Sequence, residues 1–490
     1  MLNLLPMSVS RRQLLQQSAW ASAATALGLL AACGGPSPQA TVPSSSAAPA
    51  KASAAVSTSA LTSTAASGSD SVAAPAAQGS ATLASAGLDV WIWWNDPLEV
   101  TTQIAKNFSA QNPQATAKVE VPPDYWTKVQ ATLAGGVGPD MYLMNNVNYW
   151  SFSNLRLLVD LAPLMAGDSD AQDFLKNAWQ PGVQFYQYKG KTAGLPFMFN
   201  AVVVIYNEAA IKEAGLQPPA ELGTDWTWDT LQSYAEKLTK RNGDATSVWG
   251  AYASDGIENG WLSVVRANGG DFLSGDAKTC IIDQPPSVAA WQFLTDLLLK
   301  YRVSPTADVL SKTSPVKLIG SGQLVLYDTT TGGLRMIKEG SPAMWPNLNY
   351  AVVPFSPTTH RSGGNTNIIG WVLNKAGKHT DPSWALLKYM LTKPSQDLVA
   401  KANIDMPARV DSAQIFYDPA QMGGPPNRKA LQDMAQWTTP LPTAEIVTWT
   451  DMMAPTTKWA NQILMGKVPV ADGLKQMASQ VNGLFAAGKP

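Results

Sequence analysis

The sequence predicts an α/β protein in which helices cover a mostly parallel β-sheet. Alternating or apolar runs at 88–93, 117–121 and 141–144 are typical of strands. Helical patterns at 97–111 and 125–133 separate these runs. A strand–helix–strand–helix–strand order indicates parallel strands, because each helix carries the chain back to the edge where the next strand starts.

Local signals support the individual elements. In the first helix we expect Asp96 at the N-cap and Pro97 at the first helical position. Further along, the run GLPFMFNAVVVIYN at 194–207 contains a β-branched stretch at 201–206 that is too short for a helix. This stretch predicts a buried strand that follows Asn200. At Asn200 we expect the chain to pass from one lobe of the protein to another.

The composition bounds the number of domains and the class of partner. A chain of 490 residues has room for about two to four domains, and 45% hydrophobic residues allow sizeable cores. The net charge of −1 gives no basic excess for nucleic acid. Two Cys and two His cannot form a Cys/His metal cluster, and we expect no metal and no cofactor. The 18 Trp beside 11 Phe indicate a use for flat amphipathic rings, although we assign most of them to the core.

The N-terminal segment resembles an export signal that ends in a lipidation site. The hexapeptide SRRQLL at 10–15 is similar to a twin-arginine signal, and the apolar run at 19–32 is too short for a permanent membrane span. Leu-Ala-Ala before Cys33 resembles a bacterial lipobox, so we expect a signal peptide at 1–32 and a lipid on Cys33. The Ser-, Ala- and Pro-rich stretch at 33–87 predicts a disordered tether. The expected location is extracytoplasmic, on the periplasmic side or the cell surface, anchored to the cell membrane.

Four short motifs follow one another along the chain. They are Ala-Gly-Gly-x-x-Pro-Asp at 134–140, Ile-Tyr-Asn at 205–207, Thr-Trp-Asp-Thr-Leu at 227–231 and Pro-Ala-Arg at 407–409. Together they resemble the family 1 extracellular solute-binding proteins, the maltose-binding-protein-like sugar receptors of ABC importers. Each motif alone is weak, but the ordered series extends over about 88–485.

The resemblance implies two α/β lobes with a ligand cleft at the hinge between them. The first lobe is expected at 88–199 and 355–410, and the second at 200–354 and 411–490. The implied ligand is a sugar or oligosaccharide, and the implied partners are the permease subunits of an ABC transporter. We expect a monomer that binds its ligand without acting as an enzyme.

Ligands of open α/β sheets bind beyond the carboxyl ends of the strands. The expected binding set therefore consists of residues that follow or border the expected strands, together with the arginine of the Pro-Ala-Arg motif. They are Trp93, Trp94, Asn95, Asp96, Asp140, Asn145, Asn146, Trp150, Asn200, Asp328, Thr329, Gly370, Trp371 and Arg409. Aromatic rings stack on the apolar faces of a pyranose, and amides and carboxylates pair with its hydroxyls. A phosphate or an amino acid would instead need convergent cations.

Several of these residues have an alternative structural role. Asp96 also suits a helix cap, and Asp140 also suits a turn. The two asparagines at 145–146 alternatively satisfy turn backbone. Trp371 alternatively belongs to the core, and Arg409 to an ion pair between lobes.

One loop departs from the family pattern. The turn after Asp328 lacks the Trp that usually follows there, which puts a stacking contact from that loop in doubt. Trp437, Trp449 and Trp459 are the alternative sources of such a ring.

Two other functions remain open at this point. The chain contains no G-x-S-x-G, H-E-x-x-H, G-x-x-x-x-G-K-[ST] or C-x-x-C motif. A secreted carbohydrate-active enzyme would need two carboxylates across one bond. A receptor for a non-sugar solute such as a polyamine would need several carboxylates that face aromatic rings.

Overall fold

The computed structural model describes residues 83–254 and 256–488. The predicted signal peptide, Cys33 and the tether up to residue 82 lie outside this part of the chain. Over the described residues the α/β class is confirmed, because strands and helices alternate and the strands form two large sheets.

The strands are numbered in chain order. They are β1 (Ala86–Trp91), β2 (Ala115–Glu120), β3 (Met141–Asn145), β4 (Gln187–Tyr188), β5 (Lys191–Thr192), β6 (Leu195–Phe199), β7 (Val202–Asn207), β8 (Lys240–Asn242), β9 (Ala245–Ala251), β10 (Leu324–Thr330), β11 (Leu348–Ala351), β12 (Gly364–Thr366), β13 (Ile368–Leu373), β14 (Met406–Pro407) and β15 (Thr438–Pro440).

The helices are numbered in the same way. Up to residue 299 they are α1 (Leu98–Gln111), α2 (Tyr125–Ala134), α3 (Asn146–Asn154), α4 (Ala162–Met165), α5 (Ser169–Asn177), α6 (Gln180–Phe185), α7 (Glu208–Glu213), α8 (Trp228–Leu238), α9 (Trp261–Ala267) and α10 (Pro285–Leu299). The later ones are α11 (Ala307–Leu310), α12 (Pro315–Gly320), α13 (Thr331–Gly340), α14 (Thr380–Leu391), α15 (Lys393–Ala402), α16 (Val410–Tyr417), α17 (Pro419–Met422), α18 (Lys429–Ala435), α19 (Trp449–Leu464) and α20 (Val470–Ala487).

The two sheets have different strand orders. The first runs β14-β6-β13-β3-β1-β2, with β1 parallel to β2 and β3, and β13 antiparallel to β3 and β6. The second runs β11-β7-β10-β9-β8, with β9 parallel to β10 and the other pairs antiparallel. Both sheets therefore contain more antiparallel pairs than the predicted, mostly parallel arrangement.

Helix α1 shows how the local sequence produces the packing. Val100, Ile104 and Phe108 are buried on one face, as their spacing predicts. The start differs from the prediction by one residue: Pro97 occupies the N-cap position, and no side chain caps the helix. Asp96 is not the cap, because its carboxylate pairs with Arg335 instead.

Each sheet has its own hydrophobic core. Trp371 lies in the first core, and Trp226, Trp261 and Trp291 lie in the second. All four side chains are less than 2% exposed. Core packing therefore accounts for much of the high Trp content.

The chain passes from the first sheet to the second between β6 and β7, through Asn200 and Ala201. The Asn200 Oδ1 accepts a hydrogen bond from the backbone N–H of Asn367 at 2.8 Å, and its carbonyl accepts one from the Thr366 hydroxyl at 2.6 Å. Thr366 and Asn367 lie on the return path from the second sheet to the first. These two crossings are therefore joined to each other, and β15 pairs with β12 to add a third.

Two further contacts join α13 to residues that flank strands of the first sheet. The Arg335 guanidinium lies 3.1 Å from the Asp96 carboxylate, directly after β1. The Thr331 hydroxyl donates to Asp405, one residue before β14, at 2.5 Å. The first turns of α13 therefore connect the second sheet to two points of the first.

The buried Asp405 predicts a pH dependence of stability. Burial raises its pKa from 3.8 to about 7, the Thr331 hydrogen bond opposes the shift, and the Asp96 charge adds to it. The folded state therefore holds a proton between about pH 4 and 7 that the unfolded state has lost, so stability should fall as pH rises through this window. Asp405→Asn should remove this part of the pH dependence, which amounts to on the order of 2–4 kcal/mol of unfolding free energy.

Urea unfolding of wild type and Asp405→Asn at pH 5 and pH 8 measures the effect. The exposed Asp225→Asn is the matched control. An unchanged pH dependence in Asp405→Asn would show that this carboxyl is ionised in the folded protein.

Candidate functional site

The loop after β1 places aromatic and polar side chains at one edge of the first sheet. Trp93, Trp94, Asn95 and Asp96 follow this strand, and the parallel neighbour β3 ends beside it at Asn145. Trp93, Trp94 and Asp96 are half-buried, and Asn95 is exposed. The structure thus brings these predicted residues to the carboxyl edge, where ligands of α/β sheets bind.

Trp93 lies between two other indole rings. Its ring centroid is 4.4 Å from that of Trp94 at an interplanar angle of 31°, and 5.4 Å from that of Trp126 at 35°. Both contacts are tilted, and all three rings are half-buried. Trp93 thus contacts both neighbours, and each of the three rings keeps some surface that a ligand can reach.

Sequence reasoning missed Trp126. This residue is the second of α2, just beyond the end of β2. The rule that selected Trp94 also applies to it, because both residues follow a strand of the parallel part of the sheet. The pattern was interpreted only as the start of a helix.

The two asparagines after β3 have structural partners. Asn145 caps α3 by accepting a hydrogen bond from the backbone N–H of Asn148 at 3.3 Å. Asn146 is fully buried, with Oδ1 accepting from Ile368 N at 3.1 Å and Nδ2 donating to the Leu441 carbonyl at 3.2 Å. The prediction that Asn146 binds ligand is therefore corrected, because both ends of its amide hold the crossing segments together.

Trp150 packs within an aromatic group on the first lobe. Its ring stacks on Phe185 at 5.8 Å and 8°, and it contacts Tyr188 at 5.8 Å. Its Nε1 is buried and has no hydrogen-bond partner. Packing accounts for this ring without a ligand.

Asn200 and Glu258 are connected through Asn367. The backbone N–H of Asn367 donates to Asn200 Oδ1 at 2.8 Å, and its side-chain Nδ2 donates to Glu258 Oε2 at 3.2 Å. The Asn200 amide nitrogen makes no hydrogen bond to a described residue, so it remains available to a ligand. Sequence reasoning missed Glu258, because the strand before it, β9, was not predicted.

Glu258 opens onto a cavity of about 370 Å³ beside the crossing segments. Asn259, Trp449 and Thr456 also line it. The protein atoms around Glu258 displace water and raise the pKa of its carboxyl, although the side chain remains exposed at the cavity mouth, and the hydrogen bond from Asn367 opposes the shift.

Of the tryptophans considered as replacements for the missing loop ring, Trp449 lines this cavity. Trp437 packs edge-on against Phe355, with Arg361 over its ring. Trp459 packs against the second core. The structure therefore leaves Trp449 as the candidate for stacking from the second lobe.

Asp328 and Thr329 end up in different surroundings. Asp328 borders a small pocket with Trp228, Tyr252 and Phe293, where its carboxylate makes no hydrogen bond or ion pair to a described residue. Burial raises its pKa to about 7. Thr329 is 1% exposed beneath the first turn of α13. The prediction that Thr329 contacts ligand is therefore wrong, because a ligand cannot reach this buried side chain.

Asp140 lies at the opposite end of the strands. It precedes β3, so it sits at the amino end rather than at the carboxyl end that forms the cleft. Its carboxylate accepts from Asp89 N at 3.0 Å and lies 3.1 Å from His379 Nδ1. The expected ligand contact is corrected to a turn-stabilising role.

Gly370 and Trp371 belong to the interior of the first sheet. A Cβ at Gly370 would lie 2.5 Å from the Leu195 carbonyl, so this position is closed to any ligand. The Trp371 side chain is fully buried, with its ring 5.3 Å from that of Phe197. Both expected contacts are corrected, because these residues lie in the middle of β13 and not at its end.

Arg409 belongs to a network of ion pairs. It is 3% exposed, and its guanidinium lies 2.6 Å from Asp173 and 2.9 Å from Asp411. These contacts tie α5 to the start of α16. The expected ligand contact is therefore corrected to a structural role, because both ends of the guanidinium are held in ion pairs.

The described residues contain no group of three or more His, Cys, Asp or Glu side chains that could hold a metal ion. Within the same residues, no helix has the length and apolar character that crossing a membrane requires.

Comparison with known proteins places the chain in a family. Residues 103–422 match the model of the bacterial extracellular solute-binding proteins. The maltotriose-binding protein of Pyrococcus abyssi is 23% identical over 345 residues, which are 67% of this chain and 68% of that protein. The sn-glycerol-3-phosphate-binding periplasmic protein UgpB of Escherichia coli (strain K12) is 23% identical over 315 residues, 59% of this chain and 66% of that protein.

Solved structures share the fold. The ABC substrate-binding protein Lmo0181 from Listeria monocytogenes in complex with cycloalternan has a TM-score of 0.70 at 23% identity, covering 82% of this chain and 99% of that one. The sugar-binding protein MalE from Xanthomonas citri has a TM-score of 0.70 at 16% identity, covering 82% and 98%. The fold is thus that of the two-lobed periplasmic binding proteins, and the chain belongs to the bacterial extracellular solute-binding proteins.

Proposed function

We propose that this protein captures a sugar or oligosaccharide between its two lobes, closes by a hinge motion and delivers the ligand to the permease of an ABC transporter. The lobes are those expected from the sequence, with the crossing at Asn200 as part of the hinge. The observation that carries the proposal is the cluster of three half-buried indole rings, Trp93, Trp94 and Trp126, at the carboxyl edge of the first sheet.

The chemistry of the cleft supports a neutral, hydroxylated ligand. A stiff indole buries the apolar face of a pyranose at low entropic cost. The Asn200 amide and the Glu258 carboxylate offer a donor and acceptors for hydroxyls. The nearby Arg335 is already paired with Asp96 and Glu339, at 3.1 and 2.6 Å. This pairing disfavours an anionic ligand such as the glycerol phosphate named for UgpB.

The relatives support the same class of ligand. Their names include maltotriose and cycloalternan as bound molecules, and both are oligosaccharides. The family consists of binding proteins, so we propose binding without turnover and action as a monomer. Hydrolysis of any glycoside by the purified protein would contradict this part of the proposal.

Trp94→Ala should weaken sugar binding by about 5- to 150-fold, because removing one stacked ring from a ligand face costs on the order of 1–3 kcal/mol. Calorimetric titration with a panel of mono- and oligosaccharides measures the loss. Trp437→Ala, a half-buried ring outside the cleft, is the matched control and should bind normally. Equal affinity of Trp94→Ala and wild type would remove this ring from the site.

We further propose that the ion pair between Arg335 and Asp96 stabilises the closed arrangement, since it joins the two lobes. The pair is partly exposed, which limits its contribution to about 1 kcal/mol. Arg335→Ala should therefore raise the sugar dissociation rate by about two- to fivefold and change the association rate little.

Stopped-flow fluorescence measures both rates. Lys338→Ala changes an exposed cation on the same helix and serves as the control, and Arg335→Lys should restore part of the slow dissociation. A larger change in association than in dissociation would argue against a closing contact.

We also propose export by a twin-arginine signal and anchoring through a lipid on Cys33, on the resemblance of the first residues to such signals. Cys33→Ser should move the protein from the membrane fraction to the soluble extracytoplasmic fraction, as seen by immunoblotting of fractionated cells. Retention of the variant in membranes would contradict lipid anchoring.

A further inference from the structure

A second cavity lies on the first lobe, apart from the residues at the strand ends. Its volume is about 40 Å³. The lining comes from α3, the turn after α3, the β4–β5 hairpin and the residue pair after β13. Three exposed cationic side chains are among its lining residues: Arg156, Lys191 and Lys375.

These cations lack partners of opposite charge. None of Arg156, Lys191 and Lys375 forms an ion pair or a side-chain hydrogen bond with a described residue. Asp160 is the one carboxylate in the lining, and its Oδ1 already accepts from the backbone N–H groups of Ala162 and Thr192, at 3.2 and 3.3 Å. The cavity therefore carries excess positive charge on a chain whose net charge is −1. Like charges held together repel, and an anion between them relieves that repulsion.

One buried hydroxyl group that lines the cavity also lacks a clear hydrogen-bond partner. The Ser153 Oγ is buried and has no hydrogen-bond partner, although Ser153 lines the cavity. The neighbouring Tyr149 hydroxyl is satisfied, because it donates to the Tyr186 carbonyl at 2.6 Å and accepts from Ala193 N at 3.1 Å. Buried polar atoms in folded proteins almost always have a partner, and either the Tyr149 hydroxyl or a molecule in the cavity can supply one to Ser153.

We propose that this cavity binds an oxyanion of the phosphate or sulfate type, free or as part of a larger phosphorylated molecule. The Arg156 guanidinium supplies paired N–H donors, the two lysines supply point charges, and Ser153 supplies a hydroxyl donor. A sugar does not fit this description, since cations converge here and open indole faces do not. A bound water would satisfy Ser153 alone, whereas an oxyanion would also accept hydrogen bonds from the three exposed cations.

Phosphate should raise the Tm of the protein by about 1–2 °C at ten times its Kd, relative to chloride at equal ionic strength. Lys191→Gln combined with Lys375→Gln should abolish this difference, and Ser153→Ala should reduce it. The exposed, unpaired Lys237 and Lys475 provide a matched double control, which should respond as wild type does. An equal effect of phosphate and chloride on the wild type, or an undiminished phosphate effect in the Lys191/Lys375 variant, would overturn the proposal.

The source of the oxyanion is tested separately. Vesicles of phosphatidylcholine with and without phosphatidylglycerol are sedimented with the Cys33→Ser protein, which removes the proposed lipid anchor. If the protein sediments only with vesicles that contain phosphatidylglycerol, and the Lys191/Lys375 variant does not, the site is assigned to a lipid headgroup. A Tm response to inorganic phosphate without vesicle binding assigns it to a soluble oxyanion. Trp94→Ala should keep either response, so failure of the sugar proposal does not affect this one.

Discussion

The hydrogen bonds around Asn200 are the constraint on which the rest of the structure depends. Strand β6 of one sheet and β7 of the other are separated by only two residues, and Asn200 binds the return path at Thr366 and Asn367. The short crossing segments, which include β12 and β15, are paired with one another and connect the two sheets. Such a connection holds a cleft in register and permits hinge closure.

The two lobes offer different chemical groups to the cleft between them. The first lobe offers a cluster of three indole rings, in which Trp93 contacts both Trp94 and Trp126. The second lobe offers Glu258, Trp449 and the start of α13. On α13, the Arg335 guanidinium is already paired with the Asp96 carboxylate. Binding free energy is therefore expected from stacking and neutral hydrogen bonds, which suits a sugar and not a charged solute.

Sequence patterns predicted what depends on neighbours along the chain. The early alternation of strands and helices, the buried strand after Asn200 and the aromatic loop after β1 were all accessible in this way. The wrong site predictions have a common cause. They concern residues whose surroundings are set by contacts with distant parts of the chain. Arg409 meets Asp173 across 236 residues, and an apolar run around Trp371 does not reveal which residue stands in the middle of a strand. Glu258 follows a strand whose weak alternation gave no signal.

The most direct test of the central claim is a crystal structure of the protein with an oligosaccharide that raises its melting temperature. We predict a sugar ring stacked on Trp94, with hydroxyls within hydrogen-bonding distance of Asn200 or Glu258 and the Arg335–Asp96 contact intact. A sugar bound outside the space between the two sheets, or bound there without contact to Trp94 or Trp126, would contradict it.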